Sequence, residues 1–136
     1  MIDTPVSTGL PRVLVSDDEE IIARTLVSIL NQSGFSAKAT FDGQSAVVAA
    51  TDWLPHIFLC DVRMPEMDGI ETAIRVCEIL PQCRIFLISA QEREAVRVAE
   101  QRALGYDFDF ILKPIHPLEL IQLLRFALSA DGSSSS

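Results

Sequence analysis

The sequence predicts an α/β fold, a doubly wound parallel sheet of five strands with helices on both faces. Four apolar runs have the length and the β-branched or aromatic content of buried strands, and a fifth, weaker run is also consistent with a strand. Segments of helical character separate the five runs. Right-handed crossovers between such alternating units give a parallel sheet that helices cover on both sides. Polar residues follow four of the five runs, which gives one edge of the sheet a distinct chemistry.

The composition is that of one ordinary globular domain. The chain has 136 residues, 49% hydrophobic and 22% charged, and this length buries roughly two-thirds of the unfolded surface. Its net charge of −8 disfavours nucleic-acid binding, which needs a basic stripe. No apolar stretch reaches membrane-spanning length, and residues 1–5 lack the basic and apolar regions of a signal peptide. We therefore expect a soluble, cytoplasmic protein without a nucleic-acid or membrane partner.

The first half of the chain contains two predicted strand–helix units. Residues 12–16 form the first strand, and residues 35–41 form a weaker second strand diluted by a lysine and two alanines. Gly34 caps the helix between them, and Asp42 caps a short helix through Ala50. The first helix carries an apolar face at helical spacing, made of Ile22, Leu26, Ile29 and Leu30.

The second half continues the alternation with strands at residues 56–60, 84–88 and 108–112. A helix that ends before Pro81 separates the first two, and a helix over residues 92–104 separates the last two. The faces expected to point inward are Ile70, Ile74 and Cys77 in the third helix; Ala95, Val96, Ala99 and Ala103 in the fourth; and Leu120, Leu124 and Leu128 in a last helix with Pro117 in its first turn.

These elements place one folded domain at residues 11–129. Residues 1–10 are expected to be a flexible N-terminal lead. Residues 130–136 are of low complexity and are expected to be a flexible serine-rich tail. We expect no second folded domain within these 136 residues.

The polar residues after the strands are expected to meet in one pocket, because the carboxyl ends of parallel strands share one edge. Asp17 and Asp18 lie on a strand-to-helix turn, where one carboxylate can bind a Mg²⁺ ion directly and the other through water. Asp61 offers a third oxygen and is a credible nucleophile toward phosphorus. Ser89 supplies a hydroxyl donor and Lys113 a point charge for phosphate. The pattern indicates a site for a divalent cation and a phosphoryl group.

Four segments in this order resemble the receiver domain of two-component response regulators, of the single-domain type seen in chemotaxis receivers. They are Val13 to Glu19 (VLVSDDE), Asp61 to Gly69 (DVRMPEMDG), Ser89-Ala90 and Lys113-Pro114. The resemblance extends from about Pro11 to Leu128. It implies a flavodoxin-like sheet with the strand order 2-1-3-4-5.

The resemblance also implies roles for the acidic residues. Asp61 is expected to be the phosphoacceptor. Asp18 and Asp61 are expected to bind Mg²⁺, or Mn²⁺, through their carboxylates, and Arg63 through its backbone carbonyl. Asp17 would act through a coordinated water.

Further roles follow for the residues around the phosphoryl group. Ser89 would move to bind it, Lys113 would pair with it, and the Lys113–Pro114 peptide bond would be cis. Phe110 occupies the position of the family's rotating aromatic, although core packing is an equally good interpretation of an aromatic residue in a strand. Ser89 and Phe110 are therefore the candidate switch residues.

Two features depart from the family pattern or vary within it. Gly105 lies eight residues before Lys113, one more than expected, which predicts a longer loop before the last strand. Arg63 stands two residues after Asp61, at a variable position that borders the path of an attacking water. We hypothesise that Arg63 and Gln91 set the lifetime of the phosphoryl group.

In function, the resemblance implies a phosphoacceptor signalling domain that catalyses only its own phosphorylation and dephosphorylation. The phosphoryl group would come from a histidine kinase or a phosphotransfer protein. Phosphorylation would switch the face near the last strand and the last two helices, which a downstream effector protein or a C-terminal output domain would read. Pairing of two copies through the last helix is a further possibility that the family offers.

Four alternatives stand beside this interpretation. The domain is either a switching receiver or a pseudo-receiver that works by binding alone, and either a stand-alone protein or a piece of a longer regulator. A phosphatase with an aspartate nucleophile is disfavoured, because Arg63 stands where that class carries a second aspartate. A nucleotide-binding domain is disfavoured by the lack of G-x-G-x-x-G and G-x-x-x-x-G-K motifs.

Overall fold

The computed structural model describes the backbone of residues 9–134 and the side chains of residues 9–129. In this part of the chain, strands and helices alternate throughout. The strands are β1 (Arg12–Ser16), β2 (Ser36–Thr40), β3 (Ile57–Asp61), β4 (Arg84–Ser89) and β5 (Phe108–Leu112). The helices are α1 (Glu20–Gln32), α2 (Gly43–Trp53), α3 (Gly69–Ile79), α4 (Glu94–Ala103) and α5 (Pro117–Ser134).

The strands form one parallel sheet in the order β2-β1-β3-β4-β5, which confirms the predicted fold. β3 is the central strand, and all five of its residues are buried. Its last residue, Asp61, pairs in register with Ile88, the residue before Ser89. Ser89 in turn pairs with Leu112, the residue before Lys113. The register therefore places Asp61, Ser89 and Lys113 at one edge of three neighbouring strands.

The core consists of one apolar layer on each face of the sheet. Alternate residues of β3 serve the two layers, since Phe58 and Cys60 pack on one face while Ile57 and Leu59 pack on the other. Helices α2, α3 and α4 cover the first face, and α1 and α5 cover the second. Because both faces are covered, the inner strands β1, β3 and β4 are apolar along most of their length. The edge strands β2 and β5 are less buried and carry Lys38 and Asp109.

The predicted elements agree with the structure to within a few residues at their ends. β2 is shorter than predicted, and α2 runs three residues beyond Ala50. Asp42 caps α2 as expected, because its Oδ1 accepts a hydrogen bond of 2.7 Å from the Ser45 N–H. Gly34 follows the end of α1 with a φ of 95°, a left-handed conformation that glycine adopts without strain.

The inward face predicted for α4 is wrong. The buried residues of this helix are Glu94 and Val98, whereas Val96 is 61% exposed and Ala99 is also exposed. Alanines bury little apolar area and therefore do not decide how a helix turns. The orientation follows the larger Val98 and the arginine partners of Glu94, which the sequence pattern does not show.

The faces of α3 and α5 differ from prediction only in part. In α3 the buried line runs through Ile70, Ala73 and Val76, and the predicted Ile74 and Cys77 lie half-buried beside it. In α5, Leu120 and Leu124 are buried as predicted, with Ala127 as the third buried residue and Leu128 half-buried.

The ends of the domain can be compared with prediction only in part. α5 reaches Ser134, five residues beyond the predicted boundary at residue 129. The predicted N-terminal lead falls outside the described residues except for residues 9–10, as do the last two residues of the predicted tail. Within the part of the chain that the structure describes, no helix combines the length and apolar character that crossing a membrane requires.

Candidate functional site

Three carboxylates meet where β1 and β3 end. Asp17 and Asp18 follow β1, and Asp61 is the last residue of the neighbouring β3. One oxygen from each of the three side chains lies within 4.8 Å of those from the other two. Asp17 and Asp61 are buried, and Asp18 is exposed, so the group opens to solvent on the Asp18 side. These are the hard oxygen ligands that Mg²⁺ prefers, so the residues fit the predicted metal site.

Lys113 supplies the positive charge of the site. Its Nζ lies 3.3 Å from Asp17 Oδ2 and 3.5 Å from Asp61 Oδ2. The backbone holds it there, since its N–H donates a 2.9 Å hydrogen bond to the Ser89 carbonyl at the end of β4. The Lys113–Pro114 peptide bond is cis, as the resemblance implied.

The backbone around Asp61 is fixed by tight packing. The Arg63 N–H donates a 3.2 Å hydrogen bond to Asp61 Oδ1. The Gly69 N–H donates a 2.8 Å hydrogen bond to the Val62 carbonyl, which closes the loop after β3. A Cβ at Gly69 would lie only 2.0 Å from the Asp61 carbonyl oxygen, so this position requires glycine. The glycine lets α3 start directly against the strand that carries Asp61.

The charges of the site are out of balance, because two buried carboxylates share one ammonium group. The pKa of Asp61 rises from 3.8 to about 6, because burial and the nearby Asp17 charge outweigh Lys113 and the Arg63 N–H. Burial lowers the pKa of Lys113, but the charges of Asp61 and Asp17 raise it by more than burial lowers it. The net shift of this pKa is therefore upward. Asp61 is therefore mostly ionised at neutral pH and more basic than an ordinary carboxylate. The excess negative charge favours a cation beside it.

The candidate switch residues lie near the site in different settings. Ser89 is 1% exposed, and its Oγ accepts a 2.9 Å hydrogen bond from the Gln91 N–H. Phe110 is half-buried and packs against the core layer under α2, α3 and α4. This packing fits the core interpretation of Phe110, and its role as a switch stays a prediction.

A cavity of about 410 Å³ adjoins the acidic site. Asp17, Asp61 and Lys113 stand among the residues that line it. Most of the others are apolar, among them Ile22, Leu26, Ile88, Pro114 and Ile115. The acidic site therefore opens onto an apolar recess between α1 and the start of α5.

The structure also reveals a chain of charged residues that the sequence analysis missed. Arg97 joins Asp68 to Glu94, and Glu94 also faces Arg63. The sequence does indicate a role for Asp68, because an aspartate three residues before Glu71 is typical of a helix N-cap. In the structure, the Glu71 N–H donates a 3.0 Å hydrogen bond to Asp68 Oδ1. No such indication exists for Glu94, since an acid in the first turn of a helix is normally exposed.

Comparison with known proteins agrees with this fold and site. The family model of the response regulator receiver domain matches residues 13–125. The transcriptional regulatory protein PrrA of Mycobacterium leprae is 34% identical over 99% of this chain and 56% of its own length. The chemotaxis protein CheY of Thermotoga maritima is 31% identical over 84% of this chain and 94% of its own length. The chain thus spans little more than half of PrrA but matches nearly all of CheY.

Solved structures show the same architecture. A CheY-like receiver domain protein from Methanospirillum hungatei superposes with a TM-score of 0.83 over 93% of this chain and 99% of its own, at 21% identity. The receiver domain of the Francisella response regulator 1452 superposes with a TM-score of 0.72 over 85% of this chain and 94% of its own, at 26% identity. The sequence match, the strand order and the acidic site agree, and the chain belongs to the response regulator receiver domain family.

Proposed function

We propose that this domain accepts a phosphoryl group on Asp61 from a histidine kinase or a phosphotransfer protein and, when phosphorylated, changes the face that its partner reads. The observation that carries the proposal is the joint position of Asp61, Asp17, Asp18 and Lys113 at the sheet edge. A carboxylate with a pKa of about 6 is both ionised and relatively basic at neutral pH, as a nucleophile requires.

The transfer forms one bond and breaks another. A carboxylate oxygen of Asp61 attacks the phosphorus, and the P–N bond to the donor imidazole breaks. The imidazole leaves with the electron pair, and an acyl phosphate remains on Asp61. Lys113, whose Nζ lies between Asp17 and Asp61, would neutralise part of the charge on the phosphoryl oxygens. Hydrolysis later splits the acyl phosphate, with water as the nucleophile and inorganic phosphate as the product.

Mg²⁺, or Mn²⁺, is the proposed cofactor. Asp18 and Asp61 would bind the ion through their carboxylates, Arg63 through its backbone carbonyl, and Asp17 through a water. When bound, the cation would offset the excess of buried negative charge and neutralise charge on the phosphoryl group. The hard oxygens of the three clustered carboxylates support this assignment.

Switching would begin at Ser89. Its hydroxyl oxygen accepts from the Gln91 N–H, and a phosphoryl oxygen on Asp61 would offer the hydroxyl proton a strong acceptor. Movement of Ser89 would then shift the balance between two arrangements of the face near β5, with Phe110 as the candidate moving aromatic. Arg63 and Gln91 flank the site and are proposed to set the lifetime of the phosphoryl group.

The partners and setting are proposed from the relatives. PrrA is named as a transcriptional regulator and exceeds this chain in length, whereas CheY is named as a chemotaxis protein of similar length. The reader of the switching face is therefore either a downstream effector protein or an output domain of a longer chain. We expect a cytoplasmic location, no nucleic-acid contact or membrane partner for this domain, and pairing of two copies as a further option.

Phosphorylation by a small donor tests the proposal. Intact-protein mass spectrometry after incubation with acetyl phosphate, with and without Mg²⁺, should show the gain of one phosphoryl group only with the cation. Asp61→Asn should show no gain, and Asp52→Asn, which removes an exposed carboxylate on α2, should behave as the original protein does. A folded protein that gains nothing under any condition would be a pseudo-receiver that acts by binding.

A further inference from the structure

Four charged side chains form a continuous chain from the loop after β3 to the first turns of α4. Asp68 Oδ2 pairs with Arg97 Nη2 at 2.5 Å, and Arg97 Nη1 donates to Glu94 Oε1 at 2.9 Å. Glu94 Oε2 lies 3.5 Å from Nη1 of Arg63. Asp68 caps α3, Glu94 begins α4, and Arg63 stands two residues after the phosphoacceptor. The chain thus connects the phosphoryl site to both helices.

Glu94 lies at the centre of this chain of charged residues, because it pairs with both arginines. Its side chain is only 7% exposed, and a buried charge is costly unless it is paired. It has one arginine on each oxygen, Arg97 on Oε1 and Arg63 on Oε2. Loss of one arginine would still leave it paired with the other.

Arg63 is the exposed end of this chain of charged residues. Its side chain is 56% exposed, and Glu94 is the anion that the structure places beside it. Its backbone is fixed, since the Arg63 N–H donates to Asp61 Oδ1 at 3.2 Å. A phosphoryl group on Asp61 would carry a charge of roughly −1.5 to −2 next to that fixed backbone, in place of the single negative charge of the carboxylate. The Arg63 guanidinium could then pair with either of two anions, Glu94 or the phosphoryl group, and the phosphoryl group carries the larger charge.

We propose that Glu94 is a positioning residue that holds the Arg63 guanidinium away from Asp61 before phosphorylation and releases it to the phosphoryl group afterwards. The proposal rests on the proposed function, because it needs a phosphoryl group on Asp61. Arg97 keeps Glu94 paired when Arg63 leaves, so no buried charge is left without a partner. The exchange breaks the Arg63–Glu94 ion pair and leaves the Asp68–Arg97 pair in place. It thus weakens the contact between the loop after β3 and the start of α4, and so carries the state of Asp61 to that helix.

The released guanidinium acts on the chemistry of the site in two ways. Before transfer, an Arg63 that Glu94 does not hold attracts an anionic phosphodonor and speeds phosphorylation. After transfer, Arg63 covers the phosphoryl oxygens and hinders the approach of water, which slows hydrolysis. Removal of the Glu94 charge should therefore speed gain of the phosphoryl group when Arg63 is present. It should change the loss of the group little, because Glu94 has already released Arg63 in the phosphorylated protein.

A double-mutant cycle tests this dependence. Phosphorylation by acetyl phosphate and hydrolysis after donor removal are followed by intact-protein mass spectrometry in Glu94→Gln, Arg63→Gln, the double variant and the original protein. We expect Glu94→Gln to speed phosphorylation by roughly threefold or more with little change in hydrolysis, and the double variant to match Arg63→Gln alone in both rates. Glu92→Gln removes an exposed charge near the same helix start and should leave both rates unchanged. An equal effect of Glu94→Gln with and without Arg63, or no effect in either background, would overturn the proposal.

A second measurement needs no change at Glu94, whose substitution risks unfolding α4. In ¹⁵N-labelled protein, the arginine Nε signal that Arg63→Gln removes is followed as Mg²⁺ and beryllofluoride, a phosphoryl mimic, are added. The signal should shift on addition, while that of Arg97 stays close to its position. An unchanged Arg63 signal in protein shown to bind beryllofluoride would contradict the exchange. Failure of the original protein to gain a phosphoryl group would instead refute the proposed function.

Discussion

Asp61→Asn should stabilise the metal-free protein at pH 8. The ionised Asp61 carboxylate is buried beside Asp17, and Lys113 neutralises only one charge of the pair. Asparagine has nearly the same shape and can still accept the Arg63 N–H, but it carries no charge. Lys113 keeps Asp17 as its partner at 3.3 Å, so the substitution leaves no cation without an anion.

The magnitude follows from the pKa of Asp61, which rises from 3.8 to about 6 on folding. Because the Asp61 carboxyl binds its proton more tightly in the folded than in the unfolded protein, protonation of Asp61 favours folding. That contribution is full below pH 4 and disappears as the pH rises through about 6. Such a shift corresponds to about 3 kcal/mol. We expect Asp61→Asn to be more stable than the original protein by about 2–3 kcal/mol at pH 8, and by progressively less as the pH falls from 6 toward 4.

Urea unfolding followed by circular dichroism, in buffer with a chelator, measures the difference at several pH values. Asp52→Asn makes the same chemical change at an exposed position of α2 and should alter stability by less than about 0.5 kcal/mol. Addition of Mg²⁺ should reduce the difference in stability between Asp61→Asn and the original protein, because the cation stabilises only the protein that keeps all three carboxylates. The reasoning fails if Asp61→Asn is less stable at pH 8, or if its advantage does not change with pH.

Three further substitutions test the fold around the site, each by urea unfolding. Gly69→Ala should cost about 3 kcal/mol, because its Cβ would lie 2.0 Å from the rigid Asp61 carbonyl oxygen; a cost below about 1 kcal/mol would refute this close approach. Asp42→Ala should cost about 1 kcal/mol through loss of the hydrogen bond from the Ser45 N–H, and no cost would show that the cap contributes nothing. Leu124→Ala should cost about 2–5 kcal/mol, since this α5 side chain is completely buried; a neutral result would place α5 away from the core.

The sequence predicted four of the strands well because each of them is a short, mainly apolar run between polar or turn residues. β2 was less distinct, because a lysine and two alanines dilute its apolar character. The alternation of strands and helices also predicts a parallel sheet, through the handedness of the crossovers. The strand order does not follow from the alternation, and it came from the family resemblance. The orientation of α4 could not be predicted, because it depends on where Arg63 and Arg97 lie in space around Glu94.

The position of the site could be predicted for a physical reason, since parallel strands bring their carboxyl ends to one edge. Asp17, Asp18, Asp61 and Lys113 meet there as expected. That two buried carboxylates share the single charge of Lys113 could not be predicted, because this depends on distances and burial. The spacing of residues in the sequence contains neither. The same holds for the salt-bridged chain through Glu94, whose members are separated in sequence.

The most direct test of the central claim is to find which of the three clustered carboxylates carries the phosphoryl group. After incubation with acetyl phosphate and Mg²⁺, borohydride reduction converts an aspartyl phosphate to homoserine, and peptide mass spectrometry locates that residue. We predict homoserine at position 61 alone, in an amount that matches the phosphoryl group seen on the intact protein. Homoserine at Asp17 or Asp18, or none in protein that has gained a phosphoryl group, would contradict the account.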